Sequence, residues 1–466
     1  MTRFQGGHGA RVQGSAVLVH GGSRGTQECT IRRTRRKTME RVIWNGVPWF
    51  DRDGNVVNAH GACIVREGDV YYLFGEYKTN DENRYNGFSC YSTRDFEDWK
   101  FEGMALSAEA GGLLGPGRIG ERVKVVKSAV TGKYVMLMHT DDLNYSDPCI
   151  GVAVCDTING SYTFAGPLLY KGEKVRKWDM GTFVDEDGTA YLLTHEGNIY
   201  RLNAECTEAE ELVAENIAPG GESPAMCRYG GKYYIMFSQK TSWERNDNYY
   251  LTADNIAGPW VMKGLFCPEG SLTYNTQCSY IFDCQTAEGS IKMYLGDRWS
   301  YPRQASAATL VMLPLAFEGG NMRISRYMQA WRPADGSEWR EPCIRPLAFC
   351  SDVKGEGRQA EFCVSGGRVY LFGAASDEGG YCRVEIRNSE GRAVNEAVID
   401  FYSAVPMKGL RYVSPELKSG EYTLCVTALG ESGEWFQKDG TRFGSKGRRV
   451  DIYGFAAEPD SIEKDC

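Results

Sequence analysis

A short pattern returns five times along this chain: a glycine turn followed by an aromatic-rich strand. The copies are Gly68-Asp69-Val70-Tyr71-Tyr72-Leu73-Phe74, Gly132-Lys133-Tyr134-Val135-Met136-Leu137-Met138, Asp187-Gly188-Thr189-Ala190-Tyr191-Leu192-Leu193, Gly231-Lys232-Tyr233-Tyr234-Ile235-Met236-Phe237 and the weaker Gly289-Ser290-Ile291-Lys292-Met293-Tyr294-Leu295. Their spacing of roughly 45 to 60 residues is near that of propeller blades. Each copy is preceded by a strand that begins near a polar residue, at His60, Glu121, Asp179, Glu222 and Gln277. Most copies are followed by a further strand ending in a turn and an aromatic, as in the runs to Trp99, Phe164 and Trp260. One such sheet cannot bury both of its faces, whereas five stacked about an axis cover one another and leave only short edges. The repeat therefore predicts a five-bladed β-propeller whose innermost strands bring the five polar residues into one central cavity.

The pattern changes after about residue 345, to short alternating strands with glycine turns such as Gly367-Arg368-Val369-Tyr370-Leu371-Phe372 and Tyr422-Thr423-Leu424-Cys425-Val426-Thr427. This reads as a β-sandwich. The expected fold is all-β: a propeller over residues 39–340 and a sandwich over 345–466. The final run Gly447-Arg448-Arg449-Val450-Asp451-Ile452-Tyr453-Gly454-Phe455 resembles the closing strand of carbohydrate-binding jelly rolls, and a sandwich that only braces the propeller accounts for it equally well. Residues 1–38, with Arg32, Arg33, Arg35, Arg36 and Lys37 crowded together, have no periodicity and are expected to be disordered or to precede a true start at Met39.

A net charge of −8 opposes binding to nucleic acid, which needs clustered Lys and Arg. No run approaches the roughly 20 apolar residues of a membrane span. Many of the 16 cysteines lie inside strand-like apolar runs, as at Cys63, Cys90, Cys155 and Cys425, without paired zinc spacing. They read as buried thiols of a reducing compartment, with a secreted, disulfide-linked protein as the alternative. The first residues lack the apolar core of a signal peptide, so cytoplasmic action is the expectation.

The segments around the polar strand starts are Asn58-Ala59-His60-Gly61 leading to Phe74-Gly75-Glu76, then Gly120-Glu121-Arg122-Val123-Lys124-Val125, and Trp178-Asp179-Met180-Gly181-Thr182-Phe183. Gly221-Glu222-Ser223-Pro224-Ala225-Met226, Tyr274-Asn275-Thr276-Gln277 and Gly296-Asp297-Arg298-Trp299 follow. From Trp44 to about Leu315 these runs resemble glycoside hydrolase family 43, and within it the branch containing exo-β-1,3-galactanases. Val123 departs from that branch, which usually carries proline there; the Trp178–Phe183 run and His195-Glu196-Gly197-Asn198 are further departures that bear on the substrate. The resemblance implies a glycosidase, exo-acting and inverting, that removes a terminal galactose-type sugar. Arabinofuranosidase or galactofuranosidase activity on the same fold is an alternative, and a non-catalytic carbohydrate-binding propeller is another. A phosphorylase or transglycosylase ranks below these, since no Arg- or Lys-rich cluster is visible near the inner strands.

Inverting hydrolysis needs a proton donor for the leaving oxygen and a group that activates water on the opposite face, about 6.5–9.5 Å away. Glu222 is the best donor, because the apolar Pro224-Ala225-Met226 run would partly desolvate it and raise its pKa; the resemblance independently puts the family's general acid here. Asp179 matches the pKa modulator. The family's usual base, an aspartate in the first blade, is replaced by Asn58-Ala59-His60. In the galactanase branch a glutamine of the last blade is thought to hold the water, in one account as its imidic tautomer, and Gln277 matches it. Glu121 is the other candidate, as base or as a ligand for sugar hydroxyls. Substrate-binding candidates are His60, Glu76, His139, Tyr145, Glu196, Trp243, Asp297, Arg298 and Trp299, with Asp297 and Arg298 expected to form a polar pair near the axis. Asp185 and Asp187 read as turn residues. His60, His139 and His195 come from separate blades without a close ligand pair, so no metal or other cofactor is expected.

Overall fold

The computed structural model describes residues 41–240, 245–286, 289–355, 357–436 and 440–457. The basic stretch 1–38 lies outside the described residues. Five sheets, each built on antiparallel strands, follow one another along the chain. The first contains His60–Glu67, Val70–Glu76, Gly87–Thr93 and Lys100–Ser107, the second Arg118–Lys127, Tyr134–Asp142, Cys149–Cys155 and Thr163–Pro167. The third is built on Met180–Val184, Ala190–Thr194, Asn198–Leu202 and Ala209–Ala214, and the fourth on Glu222–Tyr229, Lys232–Ser238, Tyr249–Ala253 and Val261–Leu265. The fifth has three strands, Gln277–Thr286, Gly289–Arg298 and Thr309–Pro314. The first strand of each sheet packs against the first strand of the next, and that of the fifth against that of the first, so the inner strands close a ring. The chain is a five-bladed propeller.

The recurring glycine-aromatic pattern is the second strand of each blade and the turn that precedes it. Between Tyr229 and Lys232 the turn is Gly230-Gly231, with φ of +57° and +81°. Two consecutive positive φ angles match the twist of a two-residue hairpin and suit glycine. The second strands carry apolar residues to both faces, and these fill the spaces between blades: Phe74 with Val123 and Met136, Leu137 with Met180 and Leu192, Leu193 with Met226 and Ile235. Met236, Cys278 and Leu295 join Ala62, Ile64 and Leu73 in a core that spans the fourth, fifth and first blades. Each fully buried aliphatic or aromatic chain contributes about 1.5–3 kcal/mol.

A latch joins the two ends of the propeller. Ile43–Trp44 pairs with Ala330–Trp331, and the Gly46 N–H donates to the Leu310 carbonyl at the edge of the fifth blade. The buried Asn45 side chain donates to the carbonyls of Met312 and Met328 and accepts from the Met312 N–H.

Two four-stranded antiparallel sheets follow. One orders Arg345–Ser351, Val450–Ala457, Val369–Ala375 and Met407–Val413; the other orders Gln359–Gly367, Leu417–Ala428, Tyr381–Asn388 and Ala393–Asp400. Leu371, Val384, Ile386, Leu424, Val426 and Ile452 form the core between them. Tyr370, Phe372 and Leu410 instead join Trp44 and Trp331 in the propeller core, which docks the sandwich on the latch. No described helix is long and apolar enough to cross a membrane. The described cysteines are free thiols, most of them buried.

Candidate active site

The inner strands share a local distortion. The ladder shifts register between His60 and Cys63, between Glu121 and Lys124, and between Glu222 and Ala225. In each case the residue after the polar one is left-handed: Gly61 at φ +56°, Arg122 at +55° and Ser223 at +53°, while Asp179 itself has φ +44°. Bulges of this kind re-aim side chains, and they cluster beside active sites. Gly61 shows why the residue type matters, since a Cβ there would lie 2.0 Å from Glu76 Oε1.

Glu222, the first residue of its strand, is half-buried. Burial raises its pKa to about 7, with the Asp179 carboxylate adding to the effect and Lys240 and Arg122 opposing it. Asp179 Oδ2 accepts from the Ser223 N–H at 2.7 Å, and its Oδ1 lies 2.7 Å from Arg122 Nε. The carboxylate beside the acid is thereby fixed from two sides.

Arg122 organises the floor of the cavity. Besides Asp179 it reaches Gln277, where Nη2 donates to Oε1 at 2.5 Å, and Nη1 stands 3.7 Å from Asp297 Oδ2. Its guanidinium lies 5.8 Å from the Trp299 ring centroid. Burial disfavours its charge, but Asp179, Asp297, Glu76 and Glu121 outweigh that and raise its pKa above the ordinary arginine value. Gln277 is buried; its Oε1 also accepts from Trp299 Nε1 at 2.9 Å, and its Nε2 donates to Ser238 Oγ at 3.1 Å.

A second cluster surrounds Glu121. Its Oε1 accepts from Asn83 Nδ2 at 2.9 Å and from the Tyr145 hydroxyl at 2.7 Å, and its Oε2 lies 3.3 Å from His139 Nδ1. The other His139 nitrogen is 3.3 Å from Asp141 Oδ2. Burial opposes the His139 cation, yet the two flanking carboxylates push its pKa up to about 9. Burial would raise the pKa of Glu121, but His139, Lys78 and Asn83 carry it well below the usual carboxylate range. A histidine pKa raised from its unfolded value of about 6.5 stabilises the folded state fully below that pH, and the contribution is lost as pH rises through about 9. The melting temperature of the protein is therefore expected to fall between pH 7 and 9.5, with a shallower fall in His139→Gln; parallel slopes would contradict the charged assignment.

Glu76, Asp297 and His60 lie beneath this layer. Glu76 Oε1 accepts from the Arg122 N–H at 2.9 Å, and Oε2 is 2.6 Å from Lys78 Nζ in a fully buried pair. Asp297 Oδ1 accepts from the Gly61 N–H at 3.0 Å, and burial, with Glu76 adding, lifts its pKa to about 6. His60 is buried against Trp299, neither ring nitrogen has a hydrogen-bond partner among the described residues, and burial lowers its pKa to about 3, Lys78 contributing.

Other expected residues fall elsewhere. Arg298 makes no pair with Asp297: its Nη2 donates to the Tyr274 carbonyl at 2.9 Å and its guanidinium sits over Tyr327, on the side of the sandwich. Adjacent strand residues point to opposite faces, so Asp297 turned to the axis sends Arg298 away from it. Trp299 is a buried wall rather than an open platform. Glu196, at φ +62°, is partly exposed, 3.6 Å from His195 Nε2 and 4.0 Å from Lys240 Nζ. Trp243 lies outside the described residues. Asp185 accepts from Arg228 and Tyr233 away from the cavity.

The reading of the sequence passed over Arg122, Lys78, Lys124, Asn83, Asp141 and Trp178. Three of these are cations, so the expectation of no basic cluster near the inner strands is corrected. Their charges are already engaged, however: Arg122 and Lys78 face carboxylates, and Lys124, whose pKa burial lowers to about 8, donates to the carbonyls of Gly61 and Val123. Trp178 stacks on His195 at 3.6 Å, with Lys240 over its ring.

The cavity thus holds a carboxyl group that keeps its proton near neutrality, next to a fixed carboxylate and a ring of hydroxyl-binding groups, which suits acid-assisted cleavage of a sugar acetal. Comparison with known proteins points the same way. The family model of Glycosyl hydrolases family 43 matches residues 56–223. A Bifidobacterium bifidum s17 protein provisionally assigned as an exo-β-1,3-galactanase is 34% identical, with 64% of this chain and 100% of that one covered and a TM-score of 0.57. A β-1,3-galactosidase of family 43 solved with galactodeoxynojirimycin is 28% identical over 62% of this chain and 100% of its own, with a TM-score of 0.56. The exo-β-1,3-galactanase of Phanerochaete chrysosporium, solved with β-1,3-galactotriose, shares the fold at 24% identity and a TM-score of 0.63 over 90% of this chain and all of its own. No curated protein sequence matches the chain. With the closed ring of five blades, a carboxyl group of raised pKa at the head of the fourth and full-length coverage of a 34% identical relative, this chain belongs to glycoside hydrolase family 43 and is a glycosidase.

Proposed function

We propose that the enzyme is an exo-acting, inverting hydrolase that releases terminal galactose from β-1,3-linked galactan-type oligosaccharides. Glu222 protonates the leaving oxygen, and Asp179, held by Arg122 and Ser223, keeps that proton in place until the bond breaks. The observation that carries the reading is the Glu222 pKa of about 7 beside this fixed carboxylate. Support for the sugar comes from the activities for which the 34% and 28% identical relatives are named.

Gln277 orients the attacking water in its ordinary amide form. Both groups facing Oε1, the Arg122 guanidinium and the Trp299 indole N–H, are donors only, so an imidic O–H would point at protons. One Nε2 proton is taken by Ser238 and the other is left for the oxygen of a water. An amide does not accept a proton near neutral pH; the proton of the attacking water passes to bulk solvent once the C1–O bond has formed. Glu121 is poorly suited to be the base, because its proton affinity is low. Its oxygens, arranged by Asn83, Tyr145 and His139, serve to bind sugar hydroxyls.

Incubation with β-1,3-galactotriose, arabino-oligosaccharides and aryl galactofuranosides, followed by chromatography of the monosaccharides, tests the proposal. Galactose released stepwise from the triose is the expected result. Arabinose or galactofuranose release alone would replace it with the sister activities, and binding of the triose without turnover would favour a carbohydrate-binding propeller.

A further inference from the structure

A separate polar cavity lies where the propeller meets the sandwich, with Trp299 among its lining residues. Its walls include Arg298 from the fifth blade and Arg411 from the sandwich strand Met407–Val413, with Arg245, Asp400 and Met407 around them. The volume open to the centres of water-sized groups is about 20 Å3, enough for one or two such groups.

The charge balance of this cavity is unusual. Arg411 is 5% exposed and has no hydrogen bond or ion pair among the described residues. Burial, with Arg298 as the next largest influence, lowers its pKa to about 10, so it remains charged at neutral pH. Among the described residues the buried Nε of Arg298 has no hydrogen-bond partner, while its Nη2 donates to the Tyr274 carbonyl and its guanidinium lies over the Tyr327 ring. Arg245 also lines the cavity, but its guanidinium is engaged, 4.5 Å from the Tyr402 ring centroid and 5.3 Å from that of Trp435. Asp400 is the one carboxylate lining the cavity among the described residues, and its oxygens accept from Ser300 Oγ at 2.9 Å and the Tyr402 N–H at 2.8 Å. Arg298 and Arg411, neither with an ion pair among the described residues, thus share one lining carboxylate. An unpaired buried charge costs several kcal/mol, and a strongly donating site of this size relieves that cost by taking up an anion.

We infer that this cavity binds a monatomic inorganic anion of chloride size, gripped by Arg298 from one side of the interface and Arg411 from the other. Arginine presents forked donors and no acceptor, which suits an anion and rejects a cation. The small volume favours a halide over sulfate, phosphate or a sugar carboxylate. Bound there, the ion ties the sandwich to the propeller and stabilises the folded chain by mass action.

The test uses the full chain. Crystals soaked in bromide should give an anomalous peak between the Arg298 and Arg411 guanidinium groups. In solution, Tm should rise by about 2–4 °C when sodium gluconate is replaced by sodium chloride at equal ionic strength, and Arg411→Met should abolish the difference. The bromide experiment on the unaltered protein stands even if that variant folds poorly. Absence of a peak together with equal Tm values in the two salts would overturn the assignment. A response to sulfate but not chloride would overturn the monatomic class, and a chloride response retained in Arg411→Met would overturn the site.

Discussion

Replacing Glu222 with Gln is expected to lower kcat/KM on β-1,3-galactobiose by about 10²–10⁴-fold, the usual contribution of general acid catalysis, while the melting temperature changes little. The amide keeps the size of the carboxyl group and occupies the same half-buried strand start, but it has no proton to give. The loss should depend on the leaving group. A dinitrophenyl galactoside departs without protonation, so its cleavage should suffer far less than that of the disaccharide. A purely structural role for Glu222 would reduce both substrates alike. The pH profile gives an independent readout: with the Glu222 pKa near 7, wild-type activity should fall as pH rises through that value, because the acid form is the competent one. This alkaline limb should disappear in the variant.

The second large effect is expected at Arg122. Arg122→Met removes the cation that faces Asp179 and Asp297 and one of the two donors to Gln277 Oε1. Breaking a buried ion pair from one side typically costs about 3–5 kcal/mol, because the partner charge stays behind without compensation. Chemical denaturation should therefore give a much lower midpoint for this variant. Arg122 also lowers the proton affinity of Glu222, so its loss should move the alkaline limb of kcat/KM to higher pH. Arg122→Lys keeps the charge but loses the fork that reaches Asp179 and Gln277 together, and it should recover stability better than activity. Unchanged stability in Arg122→Met would contradict the central role given to this side chain.

The blades were legible because two physical requirements write themselves into the sequence. Hairpins with two left-handed residues call for glycine, as at Gly230-Gly231, and strands covered on both faces call for apolar and aromatic runs, as at Tyr233–Phe237. The polar strand starts were visible as exceptions to those runs. What the residues did not announce was the bulge. Strict alternation would turn Arg122 away from the face that Glu121 shares, yet a positive φ at Arg122 brings both into the cavity. In the first blade the same position is Gly61, where the distortion carries a visible signal; arginine and serine carry none. Lys78 and Lys124 were passed over for a different reason. A lysine is read as a surface residue by default, and nothing local says that Glu76 or the Gly61 carbonyl is waiting for it. The Asp297–Arg298 pair failed where alternation held, since neighbours on an undistorted strand face opposite ways.

The most direct test of the account is the anomeric form of the first sugar released. Proton NMR during hydrolysis of β-1,3-galactotriose should show α-galactose accumulating first, with the β anomer growing in only by mutarotation, as acid catalysis by Glu222 with direct attack of a Gln277-held water requires. Initial formation of β-galactose would mean a covalent intermediate and two displacements, and would contradict the roles assigned to both residues.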